Sequence, residues 1–207
     1  MFRCLVSMCI EMEYPGPVCS AEAHDPLRVN AIWDRRPSGF RHPDLSPEHV
    51  LVGKCDAESP DHKVCPILKL ISLGPKSHDR KMHGTDQING PKENLMYMAL
   101  IMQSLIILDD KDGKDGYFET TDGTPRETLA GLLVPTPDDE RTWKFRWLDP
   151  ELRELVLHCA ASYEGDRPDL HSVWLRVEQA IANQEASDTA GSDHQIRLFF
   201  RRLRYSV

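Results

Sequence analysis

His42-Pro43-Asp44-Leu45-Ser46-Pro47-Glu48-His49-Val50-Leu51-Val52 is the stretch on which the reading of this chain turns. Pro43 and Pro47 keep it out of a helix, because proline lacks the N–H and pushes the residue before it toward extended backbone. It is therefore a polar loop with Asp44 inside it and a histidine at each end. His49 through Gly53 is β-branched and ends on glycine, which predicts a short strand. After a polar loop from Cys55 to Pro66, the run Ile67-Leu68-Lys69-Leu70-Ile71 alternates weakly and predicts a second strand. The two strands make a hairpin.

Working outward, Met1, Leu5, Met8, Cys9 and Met12 have helical spacing, and Pro15 stops the helix. Residues 14–41 have no period and read as loop. So does the polar run 74–91. From about Asn94 to Leu108 the chain is apolar nearly all round, which predicts a helix buried on all sides with Asn94 as its N-cap. Residues 109–142 read as acidic loop and turn. Asp149-Pro150-Glu151 starts a helix, expected over 151–162, with a capping acid, a first-turn proline and a first-turn acid. Asp166-Arg167-Pro168-Asp169 leads into another over 169–184, where Leu170, Val173, Trp174, Val177, Ala180 and Ile181 form one apolar face. Residues 185–207 are a polar linker followed by a basic, amphipathic tail.

The opening stretch resembles the catalytic loop of protein kinases, His-Arg-Asp-Leu-x-Pro-x-Asn followed by a hydrophobic strand. In that family the Asp accepts the substrate hydroxyl's proton and the Asn holds a metal ion. Asp44 matches the Asp. Pro43 stands in place of the Arg, Ser46 in place of the Lys of Ser/Thr-specific members, and His49 in place of the metal-binding Asn. Lys69-Leu70-Ile71-Ser72-Leu73-Gly74 resembles the Lys-x-x-Asp-Phe-Gly strand end, with Ser72 replacing the metal-binding Asp. A neutral hydroxyl cannot supply the charge that a Mg²⁺ site needs. Residues 94–106 are similar to the central helix of the kinase C-terminal lobe, with Asn94 replacing an Asp that grips the catalytic loop. Residues 149–181 are similar to the lobe's last large helices and their Asp-Arg-Pro junction. Pro66-Ile67-Leu68-Lys69 and the long loop before it resemble a fungal branch of kinase-like proteins.

The resemblance covers roughly residues 1–184 and implies a mainly α fold with one or two short β-hairpins, a kinase-type C-terminal lobe. It departs from the family in what is missing. No G-x-G-x-x-G stands upstream of His42, and no Ala-Pro-Glu lies between Ser72 and Asn94. In the family the Glu of that motif pairs with the junction Arg, so Glu93 with Arg167 is the surrogate pair to look for. With Ser72 and His49 at the two metal-ligand positions, the reading is a degenerate kinase-like domain that binds other proteins, with no cofactor. Asp44 is then vestigial, and His49 and Ser72 are degenerate Mg-ATP positions. Two alternatives stay open. One is a fragment of an ATP-dependent Ser/Thr phosphotransferase, which needs Mg-ATP. The other is an unrelated helical binding module.

Composition narrows the rest. The 207 residues carry 25 basic and 33 acidic side chains, a net charge of −8, which disfavours general binding to nucleic-acid backbones. The longest apolar stretch, 95–108, is too short to span a bilayer, and the N-terminus lacks the pattern of a signal peptide. The six cysteines have no zinc or disulfide spacing and read as buried free thiols, hence an intracellular and cytoplasmic protein. Asp110–Thr121 fails as a calcium loop, with Lys114, Asp115 and Thr121 at its fifth, sixth and twelfth places. Of the nine histidines, His42 is expected to pack beneath its loop rather than do chemistry. The tail holds Arg197, Arg201, Arg202 and Arg204 among Leu198, Phe199, Phe200, Leu203 and Tyr205, and should dock on its own lobe or on a partner protein.

Overall fold

A computed structural model describes residues 2–14, 32–42, 44–56, 58, 66–71, 90–108, 114–120, 123–135 and 145–186. These residues form a mixed α/β structure of four helices and two small antiparallel sheets of two strands each. In chain order the elements are α1 (Phe2–Glu13), β1 (Val50–Val52), β2 (Leu68–Leu70), α2 (Gly90–Ile107), β3 (Gly116–Glu119), β4 (Pro125–Thr128), α3 (Pro150–Cys159) and α4 (Leu170–Ala186). Single 3₁₀ turns stand at Pro47–His49, Gly131–Leu133 and Glu164–Asp166.

The core is one continuous cluster. Leu5, Val6 and Cys9 of α1, Leu95, Met98, Ala99 and Ile101 of α2, Val156 and Cys159 of α3 and Val173 of α4 are all buried in it. Helix α1 packs on both α2 and α4, and α3 packs on α2. Burying such side chains contributes roughly 1.5–3 kcal/mol each, which offsets the entropy of ordering the chain. The first strand pair meets the core through one face. Val50 pairs with Leu70 and Val52 with Leu68. Leu68 is buried, and Val50 and Leu70 pack against the cluster.

Several expectations need correction. Helix α2 begins at Gly90, four positions before Asn94, so Asn94 is not a cap but lies fully buried in the helix. Pro91 caused the misreading: proline ends helices when it follows them but fits the first turn of one that starts beside it. Leu100 and Leu105 on α2 are only partly buried, whereas Met98 and Ala99 are fully so. His49 belongs to the 3₁₀ turn rather than to β1. Helix α3 stops at Cys159, short of the expected 162. Of the thiols, Cys9 and Cys159 are buried as expected, but Cys55 is exposed and Cys4 only partly covered.

The second hairpin is the largest omission, since 109–142 read as loop. Gly116–Glu119 pairs with Pro125–Thr128 in register. The turn between them closes through Thr120 N–H donating to the Thr124 carbonyl at 3.1 Å, with Gly123 at a φ of 79° that suits a residue without Cβ. The pair is clasped to the end of α3. Fully buried Thr128 donates its hydroxyl to the Leu157 carbonyl at 3.0 Å, and Leu129 N–H donates to the Ala160 carbonyl at 2.9 Å. These bonds satisfy carbonyls that every helix C-terminus leaves unpaired. Helix starts follow the sequence more closely: Asp149 accepts from Leu152 N–H at 2.9 Å and Asp169 from Ser172 N–H at 2.8 Å.

Candidate functional site

The loop from Ser38 to His49 is held from three sides. At the end of α1, the Glu13 carboxylate accepts from Gly39 N–H at 2.9 Å, and Ser38 hydroxyl donates to the Met12 carbonyl at 3.0 Å. Glu13 continues the buried stripe of Leu5 and Cys9 at four-residue steps, and that polar residue on an apolar face was the sequence signal for this brace. Burial pushes the Glu13 carboxyl above its usual range, against the lowering effect of the Gly39 bond. The second oxygen, Oε2, is buried without a hydrogen-bond partner.

Helix α2 supplies the other two holds. Asn94 Oδ1 accepts from His42 N–H at 2.9 Å, and its Nδ2 donates to the Phe40 carbonyl at 2.7 Å. One neutral side chain thus satisfies a donor and an acceptor of the loop backbone, which a carboxylate could not do. Glu93 pairs with Arg41 at 2.5 Å. The expected partner, Arg167, instead donates to the carbonyls of Ala161 at 2.7 Å and Ser162 at 3.2 Å. Burial lowers the Arg167 pKa, while Glu164 and then Glu93 oppose that as nearby charges. Gly90 packs so closely on the Gly39 carbonyl that an added Cβ would clash with it, so a side chain there would displace the loop.

Inside the loop, His42 is 1% exposed, beneath the segment as expected. Its Nδ1 accepts from Asp44 N–H at 3.2 Å, which leaves the ring proton on Nε2. Burial holds the His42 pKa below the usual imidazole value, partly opposed by the Ile71 carbonyl at the end of β2. The 3₁₀ turn brings His49 back onto the loop. Its Nδ1 lies 2.7 Å from the Asp44 carbonyl oxygen, so Nδ1 carries a proton and donates it, with Ser46 hydroxyl 3.1 Å away. The same nitrogen is 3.8 Å from the Asp44 carboxylate, whose side chain is 55% exposed.

Asp44 and His49, singled out from the sequence, therefore meet. Ser72, the third site residue, lies outside the described residues, as do the acidic run 109–113 and the tail. Among the described residues no three His, Cys, Asp or Glu side chains form a group able to hold a metal ion. No helix of the described residues is long and apolar enough to cross a membrane. Comparison with protein-family models, curated protein sequences and solved structures finds no match.

Proposed function

We propose that this chain is a degenerate kinase-type C-terminal lobe that acts by binding other proteins and does not transfer phosphate. The observation that carries the reading is the state of His49. At the position where the resemblance calls for a metal-binding Asn, a ring nitrogen is tied to the Asp44 carbonyl inside the loop. Mg²⁺ takes oxygen ligands in near-octahedral geometry, and an imidazole, which offers only a nitrogen, is a poor substitute for an amide oxygen. Neither the His49 imidazole nor the neutral Ser72 hydroxyl supplies the ligands that Mg-ATP needs.

The bracing of the loop by Asn94 supports the kinase-type part of the reading, since the resemblance assigns that position to gripping the catalytic loop. A scaffold retained around an exposed Asp44 without metal ligands suits recognition better than phosphoryl transfer, which rests on positioning and charge neutralisation at metal-bound phosphates.

Titration calorimetry of the purified chain with ATP and Mg²⁺, alongside a radiolabelled phosphate-transfer assay, tests this. The expected result is no saturable heat and no transfer. Saturable micromolar binding, abolished by Asp44→Ala, would overturn the reading in favour of phosphotransferase activity.

A further inference from the structure

The first hairpin has an outer face that nothing among the described residues covers. Ile71 N–H donates to the His49 carbonyl at 2.9 Å and Gly53 N–H to the Ile67 carbonyl at 2.7 Å, extending the register at both ends. Side chains alternate across a pleated pair. Leu68, Val50 and Leu70 therefore face the core, and Leu51, Lys69 and, in the extended register, Ile67 and Ile71 lie on the other face. On that side Leu51 is 50% exposed and Ile71 38% exposed. Among the described residues the other large exposed apolar side chains stand elsewhere, Phe40 in the loop and Val52 on the opposite side of the strand included. Leu51 and Ile71 are adjacent on one sheet face.

The charge around this face is acidic. Asp44, Glu48, Asp56 and Glu58 are exposed beside it, against Lys54 and Lys69. One segment of the chain has the complementary character. Residues 194–207 carry +4, set by four arginines and no acid; with −8 for the whole chain, the remainder carries −12. That segment also holds Leu198, Phe199, Phe200 and Leu203. Helix α4 ends at Ala186, and the eight residues 187–194 can span at most about 26 Å when extended. From Ser187 to Phe199 thirteen residues extend to about 43 Å, well beyond the ~18 Å length of helix α1, which touches both α4 and β2.

We infer that the chain's own C-terminal segment, residues 195–207, docks on the outer face of the first hairpin. Phe199 and Phe200 cover Leu51 and Ile71, and the arginines lie against Asp44, Glu48, Asp56 and Glu58. The contact shields an apolar face beside the Asp44 loop, so a partner for that face must displace the tail. Attraction between exposed charges falls with ionic strength, which makes the contact salt-sensitive.

The test is a methyl NMR spectrum of the full chain, with Leu51 and Ile71 assigned, compared with two full-length variants, Phe199→Ser with Phe200→Ser and Arg201→Glu with Arg202→Glu. In the unmodified chain the Leu51 and Ile71 methyls shift upfield through the aromatic rings. Both variants return them to ordinary positions and leave the core methyls of Leu95 and Ile101 unmoved, which shows that the fold is intact. Added salt moves Leu51 and Ile71 the same way. Identical Leu51 and Ile71 methyls in all three chains would overturn the inference. So would a shift that grows with protein concentration, because the occupant would then be a second copy.

Discussion

Replacing Asn94 by leucine removes the side chain on which the loop's position depends. Leucine has the same branching and is the bulkier of the two, so no cavity opens, but two backbone groups lose their partners. His42 N–H loses an acceptor at 2.9 Å and the Phe40 carbonyl a donor at 2.7 Å. Asn94 is fully buried, so water does not reach its amide. An unsatisfied buried group costs about 1–3 kcal/mol, and the Phe40 carbonyl, nearer the surface, sits at the low end. The expected destabilisation is about 3 kcal/mol against a total of roughly 5–15 kcal/mol. With a urea slope of about 2 kcal/mol per molar, the midpoint falls by about 1.5 M. Asn94→Asp is the informative companion. It keeps an acceptor for His42 N–H but sets a carboxylate against the Phe40 carbonyl, so its deficit should shrink as acid protonates the new group and restores a donor. Circular dichroism melts of the three chains over a pH series measure this. A leucine variant within 0.5 kcal/mol of the parent, which would be a negligible change by the usual scale of surface substitutions, would refute the claim that Asn94 holds the loop.

Thr128→Val should lower stability by about 1–3 kcal/mol in a urea melt, because the carbonyls of Leu157 and Ala160 lose a buried donor while shape is kept. Asp149→Ala should cost about 1 kcal/mol through loss of the α3 cap at Leu152 N–H, read by the same melt. His42 is held neutral by burial, so its pKa is lower folded than unfolded. The unfolded chain then binds the extra proton first, and stability attributable to His42 is present above about pH 6.5 and lost as pH falls below that toward the folded value. His42→Gln should flatten that acid limb. Glu13 acts with the opposite sign: its raised pKa gives stability present below about 4.3 and lost as pH rises through the folded value, so Glu13→Gln should relieve the loss at neutral pH.

Apolar patterning made the four helices legible: α1, α3 and α4 each carry an apolar face at helical spacing that ends in the core, and α2 is apolar nearly all round. Leu170, Val173 and Val177 are buried as that spacing requires. The first hairpin was legible from its β-branched residues. The second was not: Gly116–Glu119 and Pro125–Thr128 have two buried side chains between them, Phe118 and Thr128, and their stability comes from the docking of Thr128 and Leu129 on α3. Such a tertiary contact leaves no periodic signal. In the site, Asp44 and His49 were singled out by the likeness of their loop to a kinase catalytic loop, not by any periodic signal. The residues that hold that loop were harder. Asn94 was noted as a grip but also taken for a cap, since a polar residue at the edge of an apolar run fits both roles. Arg41 reached Glu93 across 52 positions of sequence, where the expected partner was Arg167.

The most direct test of the account is the nitrogen spectrum of the His49 imidazole, recorded with and without ATP and Mg²⁺. Its Nδ1 donates to the Asp44 carbonyl in the structure. A protonated Nδ1, with ring resonances unmoved by millimolar ATP and Mg²⁺, is the outcome expected of a loop closed on itself. Saturable movement of those resonances together with the Asp44 amide would contradict it, because the position would then be answering to a metal-bound phosphate.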